Sequence, residues 1–411
     1  MENPKIRFKG FTKDWEQRKL EAVLSLLKDG THGTHQDAEE GPYLLSAKNI
    51  KNGQIIIDDS SDRKISEDEF NQIHTKFTLE NGDILLTIVG SIGESAILES
   101  AGKFTFQRSV AFLRPSEEMS SRFLKTEIES VQFQKELNDR KSQSAQPGVY
   151  LGDLSKIPIY VASKEEQKKI GKYFSHLDHL ITLHQRKCEQ TKKLKKYMLQ
   201  KMFPQNGAKV PEIRFDGFTY DWEQRKLGEI YGSIGNAFVG TATPYYAEHG
   251  HFYLESNNVK DGQINHNAEI FINDEFYEKQ KDKWLHTGDM VMVQSGHVGH
   301  AAVIPEELDN TAAHALIMFR NPKEEIEPYF LNYEYQTDKA KKQIENITTG
   351  NTIKHILASD MQEFVVDIPK YEEQKVIASY FCKLDHLITL HQRKCDELKK
   401  MKKYMLQNMF I

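Results

Sequence analysis

Residues 176–203, HLDHLITLHQRKCEQTKKLKKYMLQKMF, occur a second time as residues 383–410, KLDHLITLHQRKCDELKKMKKYMLQNMF, with 22 of 28 positions identical. A shorter pair shows the same relationship, since residues 6–20 and 213–227 are identical at 13 of 15 positions. Both pairs are separated by 207 residues, so the chain is one long unit repeated in tandem. A period of this length indicates duplicated domains, because the repeats of solenoid proteins are only about 20–50 residues long.

Each long copy has the pattern of an amphipathic helix. Residues 163–203 contain no proline, and Ser163 followed by Glu166 forms a capping-box pattern. Apolar side chains recur at close to helical spacing, and the second copy repeats the pattern from Glu372 onward. At about 1.5 Å per residue, roughly 40 residues would form a rod of about 60 Å. Because each rod has one apolar stripe, we expect the two stripes to be buried against each other.

The segments between the repeated ends, residues 21–163 and 228–370, share only a sparse skeleton. Residues 82–86, GDILL, correspond to residues 288–292, GDMVM, but most other positions differ. Alternating and continuous apolar runs predict short strands, and longer amphipathic runs predict helices. The predicted strands are 55–57, 83–89, 109–113, 289–294 and 315–319, and the predicted helices are 122–140 and 329–345.

These patterns predict a mixed α/β (α+β) fold with two duplicated domains separated by two long antiparallel coiled-coil helices, related by a pseudo-twofold axis. The predicted boundaries are 1–163 for the first domain, 164–206 for the central helix, 207–370 for the second domain and 371–411 for the C-terminal helix. Similar ends with dissimilar middles favour two recognition modules that read different targets. The alternative is a duplication whose ends simply diverge slowly.

Composition and charge narrow the class of protein. No apolar run approaches the roughly 18 residues that a membrane span needs, and the cysteines, Cys188, Cys382 and Cys395, form no CxxC pair. We therefore expect a cytoplasmic protein without membrane contact. The net charge is −5, but Lys and Arg exceed Asp and Glu by 7 in residues 164–203 and by 3 in residues 371–410. These basic stretches could contact phosphates or form a solvated helix face.

Several catalytic signatures are absent from the sequence. Both Asn-Pro pairs are followed by lysine, so the Asn-Pro-Pro-Phe/Tyr motif expected of an amino-methyltransferase is missing. Gly102-Lys103 is followed by Phe104, so no phosphate-binding GxxxxGK[ST] loop is present. The chain therefore shows neither a methyl-donor site nor an ATPase motor.

Two histidine pairs raise the question of a metal site. His32 and His35 are three residues apart, as are His297 and His300, and both pairs lie in glycine-rich contexts. Zinc would require further ligands at suitable spacing, and no cysteine is near. We expect no metal here and interpret these residues as loop histidines that contact DNA, or as plain surface residues.

The motifs, taken in order, resemble those of the specificity subunits of Type I restriction–modification systems. The resemblance covers essentially the whole chain, in both halves. Its carriers in the first half are DGTHGT (29–34), SAKNI (46–50), GDIL (82–85), GSIG (90–93), EEQKKI (165–170) and LDHLI (177–181). In the second half they are NNV (257–259), GD (288–289), GHVG (296–299), EEQ (372–374) and LDHLI (384–388). The second half departs at residues 233–238, SIGNAF, and 256–258, SNN.

This resemblance implies a non-catalytic DNA specificity subunit. Each target-recognition domain would read one half of a bipartite site in double-stranded DNA, and the paired helices would fix the spacer between the halves. Two modification (methyltransferase) subunits would dock on the helices, and two restriction (motor-nuclease) subunits would join for cleavage. This chain would bind no cofactor, because S-adenosylmethionine, ATP and Mg²⁺ belong to the partner subunits.

Polar loop side chains are the candidates for DNA contact, since the major groove presents a distinct donor and acceptor pattern for each base pair. In the first domain the candidates are Thr31, His32, Thr34, Lys48, Asn49, Lys51, Arg108, Lys141, Ser142 and Gln143. In the second domain they are Asn257, Asn258, Lys260, Ser295, His297 and Asn351. Lys192, Lys193, Lys195 and Lys196 could approach spacer phosphates or simply be solvated.

Two other functions compete with this hypothesis. A coiled-coil scaffold would bind proteins and read no DNA, and it would show no sequence-dependent footprint. A fused methyltransferase or nuclease would act alone, but the missing Asn-Pro-Pro motif argues against it.

Overall fold

The computed structural model describes residues 3–143, 147–205, 207–350 and 354–411. The chain forms two compact units: the first contains Met1–Arg186 and Gln392–Ile411, and the second contains Lys187–His391. These units do not coincide with the four predicted segments. The physical reason is that each long helix packs into one unit along its first part and into the other unit along its second part.

The first unit contains a domain of small sheets and short helices, together with parts of both long helices. In chain order its elements are β1 (Glu16–Lys19), β2 (Leu24–Asp29), β3 (Tyr43–Leu45), β4 (Ile50–Lys51), β5 (Gln54–Ile55), β6 (Arg63–Lys64), α1 (Glu67–Ile73), β7 (Ile84–Thr87), β8 (Ser95–Ile97), β9 (Phe104–Phe106), β10 (Val110–Pro115), α2 (Ser121–Ile128), α3 (Val131–Asp139), α4 (Leu151–Leu154), β11 (Pro158–Val161) and the start of α5 (Lys164–Lys201).

The strands of the first unit form small sheets around one four-stranded antiparallel sheet, in the order β2-β10-β7-β8. Beside it lie the sheet β6-β3-β9 and the pairs β1-β11 and β4-β5. The predicted strands at 83–89 and 109–113 are confirmed as β7 and β10. The strand predicted at 55–57 is wrong beyond Ile55, because Ile56 and Ile57 leave the hairpin and their side chains are exposed.

The second unit repeats this topology with a different sequence and one added strand, β14. After the end of α5, its elements are β12 (Glu223–Lys226), α6 (Leu227–Ile230), β13 (Tyr231–Asn236), β14 (Tyr246–Ala247), β15 (His251–Leu254), β16 (Val259–Lys260), β17 (Gln263–Ile264), β18 (Phe271–Ile272), α7 (Asp274–Glu278), β19 (Met290–Val293), β20 (Ala301–Val303), β21 (Ala312–Ala313), β22 (Leu316–Pro322), α8 (Pro328–Glu334), α9 (Asp338–Ile347), α10 (Ala358–Gln362), β23 (Val365–Ile368) and the start of α11 (Tyr371–Asn408). The sheet orders are β13-β22-β19-β20, β14-β18-β15-β21, β12-β23 and β16-β17. The shared apolar skeleton supplies the buried strands of the central sheet in both units, β7 and β10 in the first and β19 and β22 in the second.

Both predicted long helices are confirmed, as α5 and α11, and they contact each other with antiparallel direction in each unit. In the first unit the ring of Phe174 lies 5.9 Å from that of Phe410, and Asp178 lies 2.7 Å from Lys402 Nζ. In the second unit Lys195 Nζ lies 2.7 Å from Asp385. Most of the apolar stripe of each helix is buried against the other helix and against the domain of the same unit, whereas Leu194 of α5 is exposed.

The short repeated segment, residues 6–20, forms part of the same frame. Its last residues form β1, which pairs with β11, the strand directly before α5. The corresponding strands β12 and β23 pair in the same way before α11. The conserved ends of each repeat therefore meet in space, and the variable residues lie between them.

One helix was predicted at 122–140 and one at 329–345, but the structure has two helices in each region, α2 and α3 in the first and α8 and α9 in the second. The break occurs at Ser130 in the first unit, where Ser130 Oγ accepts a hydrogen bond from the Phe133 amide at 3.2 Å. Thr337 caps α9 in the same way, through the Ala340 amide at 3.2 Å. A hydroxyl that satisfies a free amide starts a new helix, which the apolar spacing alone did not indicate. Within the described ranges, no helix is long and apolar enough to cross a membrane.

Candidate nucleic-acid interface

Three loops meet at one end of the central sheet of the first unit. Asp29, at the end of β2, pairs with Ala111, and Thr87, at the end of β7, pairs with Val110. The loops that follow β2 and β7 and the loop that precedes β10 therefore emerge together. We call this end of the sheet, formed by residues 30–34, 88–93 and 107–109, the first edge.

Backbone hydrogen bonds hold these loops to one another. The Arg108 amide donates to Thr31 O at 3.0 Å, and the Ile88 amide donates to Ser109 O at 2.9 Å. Ser109 Oγ also accepts from the Ala47 amide at 3.0 Å, which brings the turn at residues 46–49 to the same edge. Sequence reasoning missed Ser109, because its role depends on contacts that are distant along the chain.

Several predicted contact residues lie together at the first edge. Arg108 is exposed, and its guanidinium has no hydrogen-bond or ion-pair partner among the described residues. His32 is also exposed, and its Nε2 lies 2.6 Å from Asp29 Oδ2. Lys48 Nζ pairs with Asp62 at 2.8 Å but keeps an exposed side chain. Thr31 is half-buried and Thr34 is exposed.

The predicted segment after α3 also reaches this edge. The Ser142 amide donates to Gly148 O, and Gly148 forms a bridge with Val89 in the loop after β7. Lys141 and Ser142 are half-buried there, and Gln143 is exposed. Lys51 has a different position, on the β4-β5 hairpin, whose Gln54 donates to Thr182 of α5 at 3.2 Å.

Asn49 and Asn258 have structural roles that distinguish them from the other candidates. Asn49 is 4% exposed, and its Oδ1 accepts from the Ser46 amide while its Nδ2 donates to Ile56 O. Asn258 is 1% exposed and makes the equivalent bonds, from the Glu255 amide and to Asn265 O. Because each amide is used to hold its own turn, we leave both residues out of the proposed reading surface.

The second unit has a corresponding edge at the ends of β13 and β19 and the start of β22. Ser295, after β19, forms a bridge with His355, and the Gly296 amide donates to Lys354 O at 3.1 Å. His297 is exposed in this loop. We call this end of the sheet, formed by residues 237–240, 294–299 and 313–315, the second edge.

The remaining candidates of the second unit differ in position. Asn257 is exposed on the turn after β15, and Lys260 is exposed on the β16-β17 hairpin. Asn351 lies outside the described residues. His314 was not predicted, yet it joins two loops: its Nε2 lies 3.0 Å from Gly240 O and its Nδ1 lies 3.3 Å from Glu255. Its position shortly before β22 could have indicated this role, because the Arg108–Ser109 loop precedes β10, the corresponding strand of the first unit.

The histidine pairs do not converge on a common point. His35 Nδ1 lies 2.7 Å from Glu69, whereas His32 pairs with Asp29. The rings of His297 and His300 are 6.4 Å apart, and burial lowers the pKa of His300. Within the part of the chain that the structure describes, no three His, Cys, Asp or Glu side chains form a group that could hold a metal ion.

The lysines of the long helix α5 also differ from one another. Lys195 is largely buried, where it pairs with Asp385 and stabilises the contact between the helices. Lys192, Lys193 and Lys196 are exposed, and Lys192 Nζ lies 3.4 Å from Glu189. Only the exposed members of this group have side chains available for a phosphate backbone.

Each unit contains one domain with a polar sheet edge, packed against parts of both long helices. The family model for the Type I restriction modification DNA specificity domain matches residues 12–193 and again residues 220–400. The chain therefore belongs to this family. It is a non-catalytic specificity subunit of a type I restriction–modification system, with two target-recognition domains.

Similar proteins agree with this assignment. The type I restriction enzyme MjaVIII specificity subunit of Methanocaldococcus jannaschii is 24% identical over 416 residues, which cover 96% of this chain and 91% of that protein. The specificity subunit named MjaX, from the same organism, is 26% identical over 412 residues, covering 96% of this chain and 92% of that protein. The crystal structure of a type I S subunit from M. genitalium has the same fold, with a TM-score of 0.68, 15% identity and coverage of 100% of this chain and 99% of that one.

Proposed function

We propose that the first edge and the second edge each read one half of a bipartite site in double-stranded DNA. The observation that carries this proposal is that the two units have one topology but different exposed side chains at the same edge. A constant sheet with variable loop residues suits two readers of different sequences, because base identity is read through side-chain donors and acceptors in the major groove. The proposed readers are Thr31, His32, Thr34, Lys48, Arg108, Lys141, Ser142, Gln143, Asn257, Ser295 and His297.

We further propose that Lys51 and Lys260, on equivalent hairpins, contact phosphates rather than bases. Both side chains are exposed and project from hairpins outside the loop network of each edge. A phosphate contact would position the domain on the duplex without selecting a sequence. Asn351 is retained as a proposed contact on sequence grounds alone.

The long helices are proposed to set the length of the unread spacer. Each of α5 and α11 is a continuous helix of 38 residues, which corresponds to about 57 Å at 1.5 Å per residue. The repeated surfaces of the two helices are also the proposed docking sites for two methyltransferase subunits, since one surface present twice suits two copies of one partner. Two motor-nuclease subunits would complete the restricting complex, in the cytoplasm.

The chemistry is proposed to reside entirely in those partners. S-adenosylmethionine would be bound by the methyltransferase subunits, and ATP and Mg²⁺ would likewise belong to the partner subunits. The specificity subunit would then contribute position and sequence selection. Accordingly, we expect the purified chain alone to transfer no methyl group, and methylation by the pure chain would contradict the proposal.

The test is a map of methylated adenines in cells that express the chain with its modification subunits. Residues 21–163 are replaced by those of another recognition domain, and we expect one half-site to change while the other half and the spacer persist. A matched variant replaces residues 228–370 and should change the opposite half. If either exchange alters both half-sites, the proposed division between the edges is wrong.

A second arm tests the helices as spacers. One heptad is inserted after Arg186 and another after Arg393, the equivalent positions of the two repeats. The inserted turns would lengthen each helix by about 10 Å, or roughly three base pairs of duplex. We expect a longer spacer between unchanged half-sites, and an unchanged spacer would contradict the role of the helices.

A further inference from the structure

A cluster of four charged side chains lies where the first recognition domain meets the helices. Lys125 of α2 is 6% exposed, and its Nζ lies 2.8 Å from Glu129 and 2.7 Å from Asp178 of α5. Lys402 of α11 closes the cluster, since its Nζ lies 2.8 Å from Glu129 and 2.7 Å from Asp178. The four formal charges sum to zero.

Two of these residues belong to the repeated frame, and two belong to the variable domain. Asp178 and Lys402 recur one period away as Asp385 and Lys195, which again form an ion pair at 2.7 Å. We call these two ion pairs the frame pairs. Lys125 and Glu129 instead correspond to neutral residues, Asn332 and Gln336, which lie at the same offset of 207 residues. We call Lys125 with Glu129, and Asn332 with Gln336, the junction pairs. The two residues of each pair lie four positions apart on one face of a helix.

The neutral junction pair occupies the same place in the second unit. Lys195 Nζ donates to Gln336 Oε1 at 3.0 Å, as Lys402 pairs with Glu129 in the first unit. Asn332 is 1% exposed and donates to Gly262 O at 2.8 Å, while Lys125 lies beside Gly53 of the equivalent hairpin. The formal charges of each junction pair sum to zero, as +1 and −1 in the first unit and as two neutral residues in the second. Neither pair therefore adds net charge beside the frame pair.

The clefts beside the two junctions differ in volume. In the second unit the cleft beside Gly262 and Asp385 has a volume of about 790 Å³. The equivalent cleft of the first unit, beside Gly53 and Asp178, has a volume of about 240 Å³. The two clefts therefore differ in volume, whereas the net charge of the junction is the same in both units.

Charge is constrained here because Lys125 is buried and its three neighbours are only partly exposed. Burial alone would lower the pKa of Lys125, but Glu129 and Asp178 outweigh this effect and raise the pKa. For Asp178, burial would raise the pKa, yet Lys125 and Lys402 lower it. A buried charge that loses its partner is strongly destabilising, whereas replacement of a balanced pair by neutral groups is often tolerated.

We propose that the junction pair is a compatibility determinant between a recognition domain and the helix frame. A recognition domain fits this frame when its two junction residues carry charges that sum to zero, because the frame pair is already neutral. The partner that this surface accepts is thus any recognition domain with a balanced pair, either Lys with Glu or Asn with Gln. The junction pair would act by holding the recognition domain in place on the helices. Neither junction residue is assigned to DNA contact.

The test transplants the junction pair of the second unit into the first. The full chain is compared as wild type, Lys125→Asn, Glu129→Gln and the double variant Lys125→Asn/Glu129→Gln. We expect each single variant to raise the unfolding equilibrium constant of the first unit by about tenfold or more, and the double variant to return to within about threefold of wild type. Additive losses in the double variant would overturn the proposal.

Matched variants in the second unit extend the same test. Asn332→Lys should be destabilising alone and rescued by Gln336→Glu. Where a single variant is insoluble, a soluble double variant supports the rule, and an insoluble double variant overturns it. These measurements need no DNA, so they stand apart from the proposed reading of half-sites.

A functional arm rests on the proposed function. The same variants are expressed with the modification subunits, and methylated sites are mapped. We expect the single variants to lose methylation and the double variants to recover it at the original sites. If the double variants recover stability but even the wild-type complex methylates no DNA, the proposed function is wrong and the junction rule still holds.

Discussion

The Arg7 guanidinium binds both carboxylate oxygens of Glu166, with Nε at 2.7 Å and Nη2 at 2.8 Å. Glu166 is fully buried at the start of α5, so this bidentate pair attaches the N-terminal segment to the helix. The second repeat contains the same pair, Arg214 with Glu373, at 2.7 Å for both bonds. The ends of each repeat are therefore similar because they must form one buried joint.

The first prediction concerns this joint. Arg7→Ala leaves the Glu166 carboxylate buried without a cation, and we expect a loss of about 3–5 kcal/mol in the free energy of unfolding of the first unit. Arg7→Lys should recover only part of this loss, because lysine lacks the planar fork. The measurement is chemical denaturation of the full chain.

The control for this prediction is Arg18→Ala. Arg18 pairs with Glu16 at 2.8 Å on the surface, where both side chains are exposed. Exposed pairs contribute at most about 1 kcal/mol, so we expect little change. Equal losses for Arg7 and Arg18 would contradict the assigned role of burial.

The second prediction concerns Glu127 of α2. Its side chain is 2% exposed, one oxygen accepts from the Tyr160 amide at 3.3 Å, and burial raises its pKa from 4.5 to about 8. The folded chain therefore holds a proton that the unfolded chain releases above its ordinary pKa. Between about pH 4.5 and 8 this group should lower stability as pH rises, with a slope approaching about 1.4 kcal/mol per pH unit.

The comparison is with Glu127→Gln, which is neutral at every pH. Subtracting its stability from that of wild type across pH 5 to 9 removes the contribution of other carboxylates. The difference should favour wild type most at the acid end and fall as pH increases. A flat difference would show that Glu127 is ionised in the fold.

The third prediction concerns Arg108 at the first edge. If Arg108 contacts a base, Arg108→Ala should cost about 1–3 kcal/mol of binding at one position of one half-site and relax selectivity there. If it contacts a phosphate, binding should weaken for all sequences and the salt slope should fall by about one. The measurement is binding of the assembled complex to duplexes with each half-site altered, over a salt series.

Lys9→Ala is the control for Arg108→Ala. Lys9 is an exposed cation in the N-terminal segment, outside both edges. We expect it to leave affinity and selectivity unchanged. A change at the half-site read by the second unit on mutation of Arg108 would disprove the proposed division.

The fourth prediction tests whether Asn49 stabilises its own turn or contacts DNA. Asn49→Ala leaves the Ser46 amide and Ile56 carbonyl without their partner, and we expect a loss of about 1–3 kcal/mol in stability. Asn258→Ala should have the same effect in the second unit. The complexes that still form should methylate unchanged sites, and a shift in sequence selection would return Asn49 to the reading surface.

The sequence determined much of this architecture by itself. The 207-residue period established the duplication, and the helical spacing of residues 163–203 placed α5 almost to its ends. Such patterns are local or periodic, so they survive without knowledge of contacts. The buried strands β7 and β10 were also predictable, because their apolar runs have few alternative structures.

Only the tertiary structure decided which polar residues share a surface. Arg108 and Thr31 meet at the first edge although 77 positions separate them in the chain. Asn49 is buried although its neighbour in the chain, Lys48, is exposed. It also divided each long helix between two units and set Lys125 and Glu129 against Asp178 and Lys402. These outcomes depend on long-range packing and on the cost of burying unpaired charge, which no local pattern records.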